Sequence, residues 1–349
     1  MPVEGRTAYQ GVARLRKYIL VVPLLVASMP IAVLGLIMMG YWVWGILLFL
    51  CIFVLNWSTE TCPVHLSGNQ LKETGGIRVL TYNVNRAHEI SVNSGTTQGL
   101  IRFILRQEAD VILLQEYNAD LYPEVRERLM QDYPYGSGME AGSRFKSVFS
   151  KFPVEEVEQL WVRADDSRYE LLQHAWYCKS GDGEREILPV CSMVLRVGNS
   201  RLRIVNCHLM SNNYSVVIRN VRRKRRNLMR AIMPVMKRMD YGYAARKLQA
   251  RIVCQHLASC KERAVIMCGD FNDISGSSTL RPFKQMGLKD AWWSRGLGFG
   301  FTFHGMRMRL RLDHFLYTDN ALQLKNVYVP NSQMSDHDPI VADFSVKSC

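Results

Sequence analysis

Residues 264–273 read AVIMCGDFND: five apolar residues, a glycine, then three polar side chains around one phenylalanine. Five apolar residues in a row suit a short strand covered on both faces. Such a strand hands Asp270, Asn272 and Asp273 to the edge of a sheet. The same arrangement recurs in both directions along the chain. Residues 77–84 (IRVLTYNV) read as a β-rich strand ending near Asn83, and 110–117 (DVILLQEY) as a buried strand that delivers Glu116. Residues 147–154, 187–197 and 202–209 are further strands, the last carrying His208, and 312–317 and 339–344 close the series. Leu100, Ile101, Ile104 and Leu105 give a helical stripe between the first two. Buried and alternating strands with a few helices between them predict an α/β fold with two packed sheets.

Asn83, Glu116, His208, Asp270, Asn272, Asp313, Asp336 and His337 all sit at or just past an apolar run. Singly, each has an ordinary explanation as a strand-end cap, a turn former or a satisfied histidine. Eight of them at successive strand ends predict convergence on one rim. Carboxylates and amides without thiols suit a hard, oxygen-seeking cation, Mg²⁺ or Mn²⁺, and not zinc. Histidines beside them suit proton transfer or phosphate contact near neutral pH. His304 and His314 fall outside this set and read as structural.

Six motifs carry a resemblance: TYNV at 81–84, LLQE at 113–116, CHL at 207–209, GDFND at 269–273, RLDHF at 311–315 and SDHDPI at 335–340. In this order they resemble the endonuclease/exonuclease/phosphatase superfamily, with its DNase I-like fold, over nearly all of residues 77–346. The layout is similar to bacterial members that carry an N-terminal transmembrane hairpin. The resemblance implies a four-layer α/β sandwich, two mixed sheets flanked by helices, and phosphoester hydrolysis. It makes Glu116 a metal ligand and Asn83 a support for metal and phosphate. Asp270 would orient or deprotonate the attacking water, and Asn272, two residues on along an extended chain, would contact the phosphate. His337 would act beside the scissile phosphate, with Asp336 orienting it or ligating metal. His208 would donate to a phosphate oxygen or the leaving group, with its tautomer fixed by Asp313.

The N-terminal part has a different character. No residue from Tyr18 to Trp57 is charged. As one helix this stretch would span ~60 Å, against a hydrocarbon core of ~30 Å, so two spans fit better, at about 18–38 and 43–57. The break is expected in the segment from Gly40 to Gly45, where tryptophan and tyrosine suit an interface. A cleaved signal peptide is the competing reading. Arg6, Arg14, Arg16 and Lys17 against Glu4 in the tail (residues 1–17) place the N-terminus in the cytoplasm, as for a multi-pass bacterial inner-membrane protein. Two spans then return residues 77–349 to the cytoplasm, and a single span reverses that. Residues 58–76 read as a linker.

The net charge of +13 favours acidic partners: phosphate esters, nucleic acid or anionic headgroups. Almost all of it lies between Arg219 and Arg251, where twelve Lys or Arg stand against Asp240 alone. Apolar residues from Leu228 to Met239 recur at helical spacing, so a basic helical insertion at about 212–262 is expected, with a possible bend at Pro234. Three uses compete: lying on an anionic leaflet, contacting nucleic-acid phosphates, or packing on the domain. Nine cysteines without a CxxC pair argue against a zinc cluster or a disulfide framework. The leading functional reading is a membrane-anchored phosphodiesterase or phosphomonoesterase acting on a lipid headgroup, nucleotide or nucleic acid. A DNA or RNA nuclease of the same fold and a non-catalytic scaffold are the alternatives. Membrane lipids are an expected partner, and no protein partner is inferred.

Overall fold

Helix α1 (Val22–Met38) and helix α2 (Trp42–Thr59) are separated at Gly40, whose φ of +82° is the left-handed turn a glycine accepts most readily. The computed structural model describes residues 22–63, 76–85, 97–119, 122–137, 144–163, 185–212, 229–305 and 309–347. The start of the first expected span, residues 18–21, lies outside these. The two helices close on each other at Gly45, where an added Cβ would come within 2.9 Å of Ile37 Cγ1 and 3.4 Å of the Val33 carbonyl oxygen. Their large apolar side chains, among them Ile31, Leu34, Phe49 and Phe53, are exposed. Among the described residues one helix, α2, is long and apolar enough to cross a membrane; α1 contributes a shorter apolar stretch, Ser28–Met38.

The expected linker over residues 58–76 begins later than the sequence suggests. Helix α2 runs to Thr59, and the Asn56 side chain closes its end by accepting from Cys62 N (2.8 Å) and donating to Cys62 O (2.9 Å). The last turn closes on backbone groups past Ser58, with Asn56 O accepting from Glu60 N and from Thr61 N (3.4 Å).

The remaining elements follow in chain order: β1 (Ile77–Asn83), α3 (Thr97–Leu105), β2 (Val111–Asn118), α4 (Pro123–Asp132), β3 (Tyr135–Ser137), β4 (Arg144–Ser150), β5 (Val154–Arg163), β6 (Arg185–Val197) and β7 (Ser200–His208). Then come α5 (Met229–Ser259), β8 (Ala264–Asp270), α6 (Arg281–Gln285), β9 (Leu288–Asp290), α7 (Ala291–Arg295), β10 (Asp313–Thr318), β11 (Leu322–Tyr328) and β12 (Ile340–Val346). They build two six-stranded mixed sheets, ordered β11-β12-β1-β2-β4-β3 and β5-β6-β7-β8-β10-β9. Each has one parallel pair at its centre, β1 with β2 and β7 with β8.

Alternation along the strands fills three apolar layers. Val79, Val111 and Leu113 of the first sheet meet Ile204, Ile266 and Phe315 of the second. On the outer faces, Leu80, Ile112 and Leu114 pack with Leu100, Ile104 and Leu129 of α3 and α4, and Val205 and Met267 pack with Ala245, Leu248 and Val253 of α5. Helix, sheet, sheet, helix is the four-layer order expected. Each fully buried side chain of this size contributes about 1.5–3 kcal/mol.

From Met229 on, the described part of the basic segment is helical, and α5 runs without interruption through Pro234. Its second half is part of the body, with Ala244, Ala245, Ala250 and Val253 buried. That half uses its apolar face for packing, not for a lipid surface. Of the stripe expected from Leu228 to Met239, the side chains up to residue 238 lie outside the described set and Met239 is partly exposed.

Candidate active site

The two parallel pairs end at one rim. In the first sheet Asn83 is in register with Gln115, and in the second His208 is in register with Asp270, which is itself opposite Asp313 on β10. His337 lies just ahead of β12, whose Ile340 pairs with Thr81 of β1. Side chains from both sheets therefore meet at the carboxyl ends of four strands, where ligands bind in many α/β proteins.

Local irregularities aim them. Glu116 has φ +54° and sits where the pairing of β2 with β4 shifts register between Gln115 and Asn118. A bulge of this kind re-aims a side chain. Gly269 has φ +136°, and an added Cβ would lie 1.9 Å from the Cys207 carbonyl oxygen, so only glycine lets β8 approach β7 and still turn Asp270 inward.

Asp270 is the hub. Its carboxylate accepts from Asn83 Nδ2 (3.0 Å), Asn272 N (2.8 Å) and Asn272 Nδ2 (3.1 Å). Asn83 Nδ2 also lies 3.4 Å from Glu116 Oε1. His208 Nε2 is 3.5 Å from Glu116 Oε1 and 3.8 Å from Asp270 Oδ2. Burial, and then the Asp313 charge, push the Asp270 carboxyl up to about 7, against the pull of His337, Asn272 and Asn83. Burial lowers the His337 imidazolium, but the charges of Asp313, Asp270 and Asp336 outweigh it and raise the group to about 10.

Two sequence expectations change here. Asp313 does not hold His208; its Oδ2 is 2.8 Å from Nδ1 of His337, leaving Nε2 of that ring 3.8 Å from Asp270 Oδ2. The antiparallel pairing of β10 with β8 puts Asp313 beside Asp270 and on the His337 side, which motif order along the chain does not reveal. Asn272 is not extended: its φ is +51°, and its amide donates to Leu209 O (2.9 Å) and Asp270, an Asx-type turn that braces the carboxylate. Asp336 is half-buried next to Ser335, whose hydroxyl donates to Asn83 O (2.8 Å) and lies 3.4 Å from Asp336 Oδ1. His304 and His314 sit apart, against Asp338 (3.5 Å) and against Asp290 (3.6 Å) with the Asp273 carbonyl (2.9 Å).

Several supporting residues escape the sequence reading. Gln115 Nε2 donates to Asn206 Oδ1 (2.7 Å) and Thr81 Oγ1 (2.9 Å), and Asn206 Nδ2 to Leu114 O (3.2 Å), a buried amide pair joining the sheets beneath the site. Amides inside the apolar runs LLQE and VNCH are its only sequence signal. Buried Arg246 of α5 donates to Met210 O (2.8 Å) and Asn212 Oδ1 (3.0 Å) and lies 3.4 Å from Asp273 Oδ2, tying the loops after β7 and β8 together. Phe303 lies against His337, with ring centroids 5.0 Å apart.

The profile of the Endonuclease/Exonuclease/phosphatase family matches residues 80–337. The chain belongs to this family. That makes it a phosphoric ester hydrolase by class, and the two-sheet sandwich is the family's fold. Similar solved structures include the endonuclease/exonuclease/phosphatase from Bacteroides vulgatus, at 16% identity and TM-score 0.54 over 79% of this chain and 100% of that one. TDP2 from D. rerio complexed with a single-strand DNA product matches at 14% identity and TM-score 0.53 over 78% and 100%. The human Nocturnin catalytic domain with bound sulfate anion matches at 17% and 0.50 over 79% and 97%. No curated protein matches the sequence.

The family is metal-dependent, and the residues present fit a cation. Asp270, Asp313 and His337 bring ligand-type atoms within 4.8 Å of one another, and Glu116 adds a further carboxylate 3.5 Å from His208. Burial, and then the Asp313 charge, disfavour the ionised form of Asp270, a penalty that a cation at the site would offset. His337 Nδ1 is already committed to Asp313, so that pair suits proton transfer better than coordination.

Proposed function

We propose that the chain is a membrane-anchored, Mg²⁺-dependent phosphoesterase that hydrolyses a phosphodiester or phosphomonoester by in-line attack of water. The observation that carries this reading is the bridge made by Asn83, whose one amide nitrogen faces Glu116 of the same sheet and Asp270 of the other. Glu116, Asn83 and Asp336 would hold the cation beside the clustered Asp270, Asp313 and His337, which Asn83 reaches through Asp270, with Mn²⁺ an acceptable substitute. When bound, Mg²⁺ supplies charge neutralisation on the phosphate oxygens and the leaving group. Asp270, held inward by the Asn83 and Asn272 amides, orients the water and takes its proton. Imidazolium His337, held by Asp313, and His208 donate to phosphate oxygens or the leaving group. Asn272 contributes by fixing Asp270, and its own contact with phosphate would require its amide to leave Leu209 O.

The test is a panel of plasmid DNA, RNA, nucleotides, sphingomyelin and phosphoinositides, assayed with Mg²⁺ and with chelator. Hydrolysis should need the metal and fall about 10²–10⁴-fold in Glu116→Ala and in His337→Ala. Activity that survives both changes removes the mechanism, and no activity on any substrate favours the scaffold reading. The single-strand DNA product in the D. rerio TDP2 structure supports the nuclease alternative, which cleavage of DNA alone in the panel would select.

Anchoring is supported by the apolar α2, with α1 packed beside it as a second span. In sealed, oriented vesicles, protease added from the outer side should spare residues 77–349 if both helices cross. Digestion from that side rejects the two-span, cytoplasmic placement.

A further inference from the structure

The end of α2 does not hang from the domain; it is built into it. Thr59 rests on Gly276, where an added Cβ would come within 2.7 Å of Thr59 Cα. Glu60 pairs with Lys284, and its carbonyl accepts from Arg311 Nη2 (3.2 Å). Pro63 O accepts from Gly298 N (2.9 Å), and the rings of Trp57 and Trp293 meet edge to face at 5.8 Å.

Two of these contacts, from Pro63 and Trp57, land on the loop of residues 296–303 (GLGFGFTF) and on the short helix α7 before it. Glycines 296 and 300 lie so close to the buried Trp292 ring that a Cβ at either would come within 2.5 and 2.2 Å of it. The loop thus wraps Trp292 and carries its apolar side chains outward. Leu297 is 58% exposed, and Phe299 and Phe301 stack on each other, partly exposed, at 5.1 Å. Trp293 and Gly298 hold this segment against Trp57 and Pro63 at the end of the apolar helix. Trp57, 66% exposed, is the last aromatic of α2 and suits the membrane–water interface. Partly exposed Arg295 and exposed Arg309 flank the loop, as suits anionic headgroups. The other end of the loop is the active-site wall: Phe303 on His337, and buried Thr302, whose hydroxyl accepts from Leu312 N and Asp313 N at 3.2 Å.

We propose that the segment from Trp293 to Phe301 is a membrane-interface contact that seats the mouth of the site on the bilayer surface, so that the phosphate ester it takes is one carried by a lipid headgroup. This rests on the anchored phosphoesterase reading and names its substrate class.

The full chain is reconstituted in vesicles of phosphatidylcholine and phosphatidylglycerol containing a phosphatidylcholine with a diazirine next to its headgroup. After illumination the label is mapped by mass spectrometry. Label is expected on residues 293–303 as well as on α2, and a Leu297→Glu, Phe299→Glu double variant should lose about tenfold of the loop label. The same variant should hydrolyse the soluble diester bis-p-nitrophenyl phosphate at the wild-type rate. Label on α2 but not on 293–303 overturns this inference and leaves the anchor standing. Label on neither overturns the anchor and this inference together. Loss of soluble hydrolysis in the double variant places the loop in the site and overturns its surface role. Water-soluble phosphate is expected from vesicle-borne phosphatidylglycerol, phosphoinositide or sphingomyelin. Cleavage of an oligonucleotide with release from none of these overturns the lipid assignment.

Discussion

Glu116 and Asn272 both stand in left-handed backbone, at φ +54° and +51°, although neither is a glycine. That conformation costs about 1–2 kcal/mol for an L-residue and persists where the surroundings over-determine it. Here it turns one carboxylate toward Asn83 and braces another from below. Because Asp313 orients His337, Asp313→Asn should lower kcat by about the same 10²–10⁴ as His337→Ala, and the double variant should lose little more than either single one. Additive losses would separate the two residues. Gly269→Ala meets the Cys207 carbonyl oxygen as well as a disfavoured φ, so urea unfolding should show at least about 3 kcal/mol of lost stability, or no folded protein. With chelator present, the raised Asp270 carboxyl adds a pH dependence. A group that binds its proton more tightly when folded stabilises below its unfolded pKa of ~4 and loses that contribution as pH rises through its folded value, about 7. Urea midpoints in chelator should therefore fall between about pH 5 and pH 7.5, Asp270→Asn should flatten the trend, and Mg²⁺ should restore the loss at the upper end. A wild-type slope unchanged in Asp270→Asn rejects this assignment. The site residues were legible because each ends an apolar run. Their pairing was not: which histidine Asp313 serves depends on an antiparallel register made between distant segments.

At the scale of elements, the strands that carry the site were readable because they are continuous apolar runs. Strand β11 (LQLKNVY) and the edge strand β9, only three residues long, were not, since exposed edges hold polar residues that read as loop. Helix α5 was recognised by its charge, which left its use open among three: Arg246 is buried against Asp273 and two loop groups, and Gln249 Oε1 accepts from Met210 N (2.9 Å). Charge counting cannot tell a solvated arginine from one that stitches loops. Arg246→Ala leaves buried acceptors unpaired and should lower stability by about 1–3 kcal/mol in chemical denaturation, where a solvent-facing arginine would cost less than about 0.5 kcal/mol. Between the sheets, Leu113→Ala should cost about 2–5 kcal/mol, because both walls around it are strands that cannot collapse onto the hole.

For the whole molecule, the join between helix and enzyme centres on Asp290. Burial alone would raise its carboxyl, but Arg311 and His314 more than offset that and hold it well below the usual range. A depressed carboxyl stabilises the fold above its unfolded pKa and surrenders that contribution as pH falls through the folded value. Acid unfolding below pH ~4 should therefore begin at this join, seen as early exposure of Trp57, Trp292 and Trp293 by fluorescence. Asp290→Asn should already show that signal at neutral pH; unfolding that starts elsewhere counts against this order. The apolar N-terminal stretch was plain from composition, whereas its docking was not, because Thr59–Pro63 has the turn-prone content of a linker and meets its partners more than two hundred residues later.

The amide pair of Gln115 and Asn206 sets a fixed offset between two half-sites. Asn83 and Glu116 travel with one sheet, His208, Asp270 and Asp313 with the other. Apolar faces alone would let the sheets slide by small amounts at little cost, whereas paired amides in a dry interior fit in one alignment and resist every other. The pair works as a dowel pin between two machined plates, so that catalytic alignment is a matter of inter-sheet shear, set several ångströms below the groups that do the chemistry.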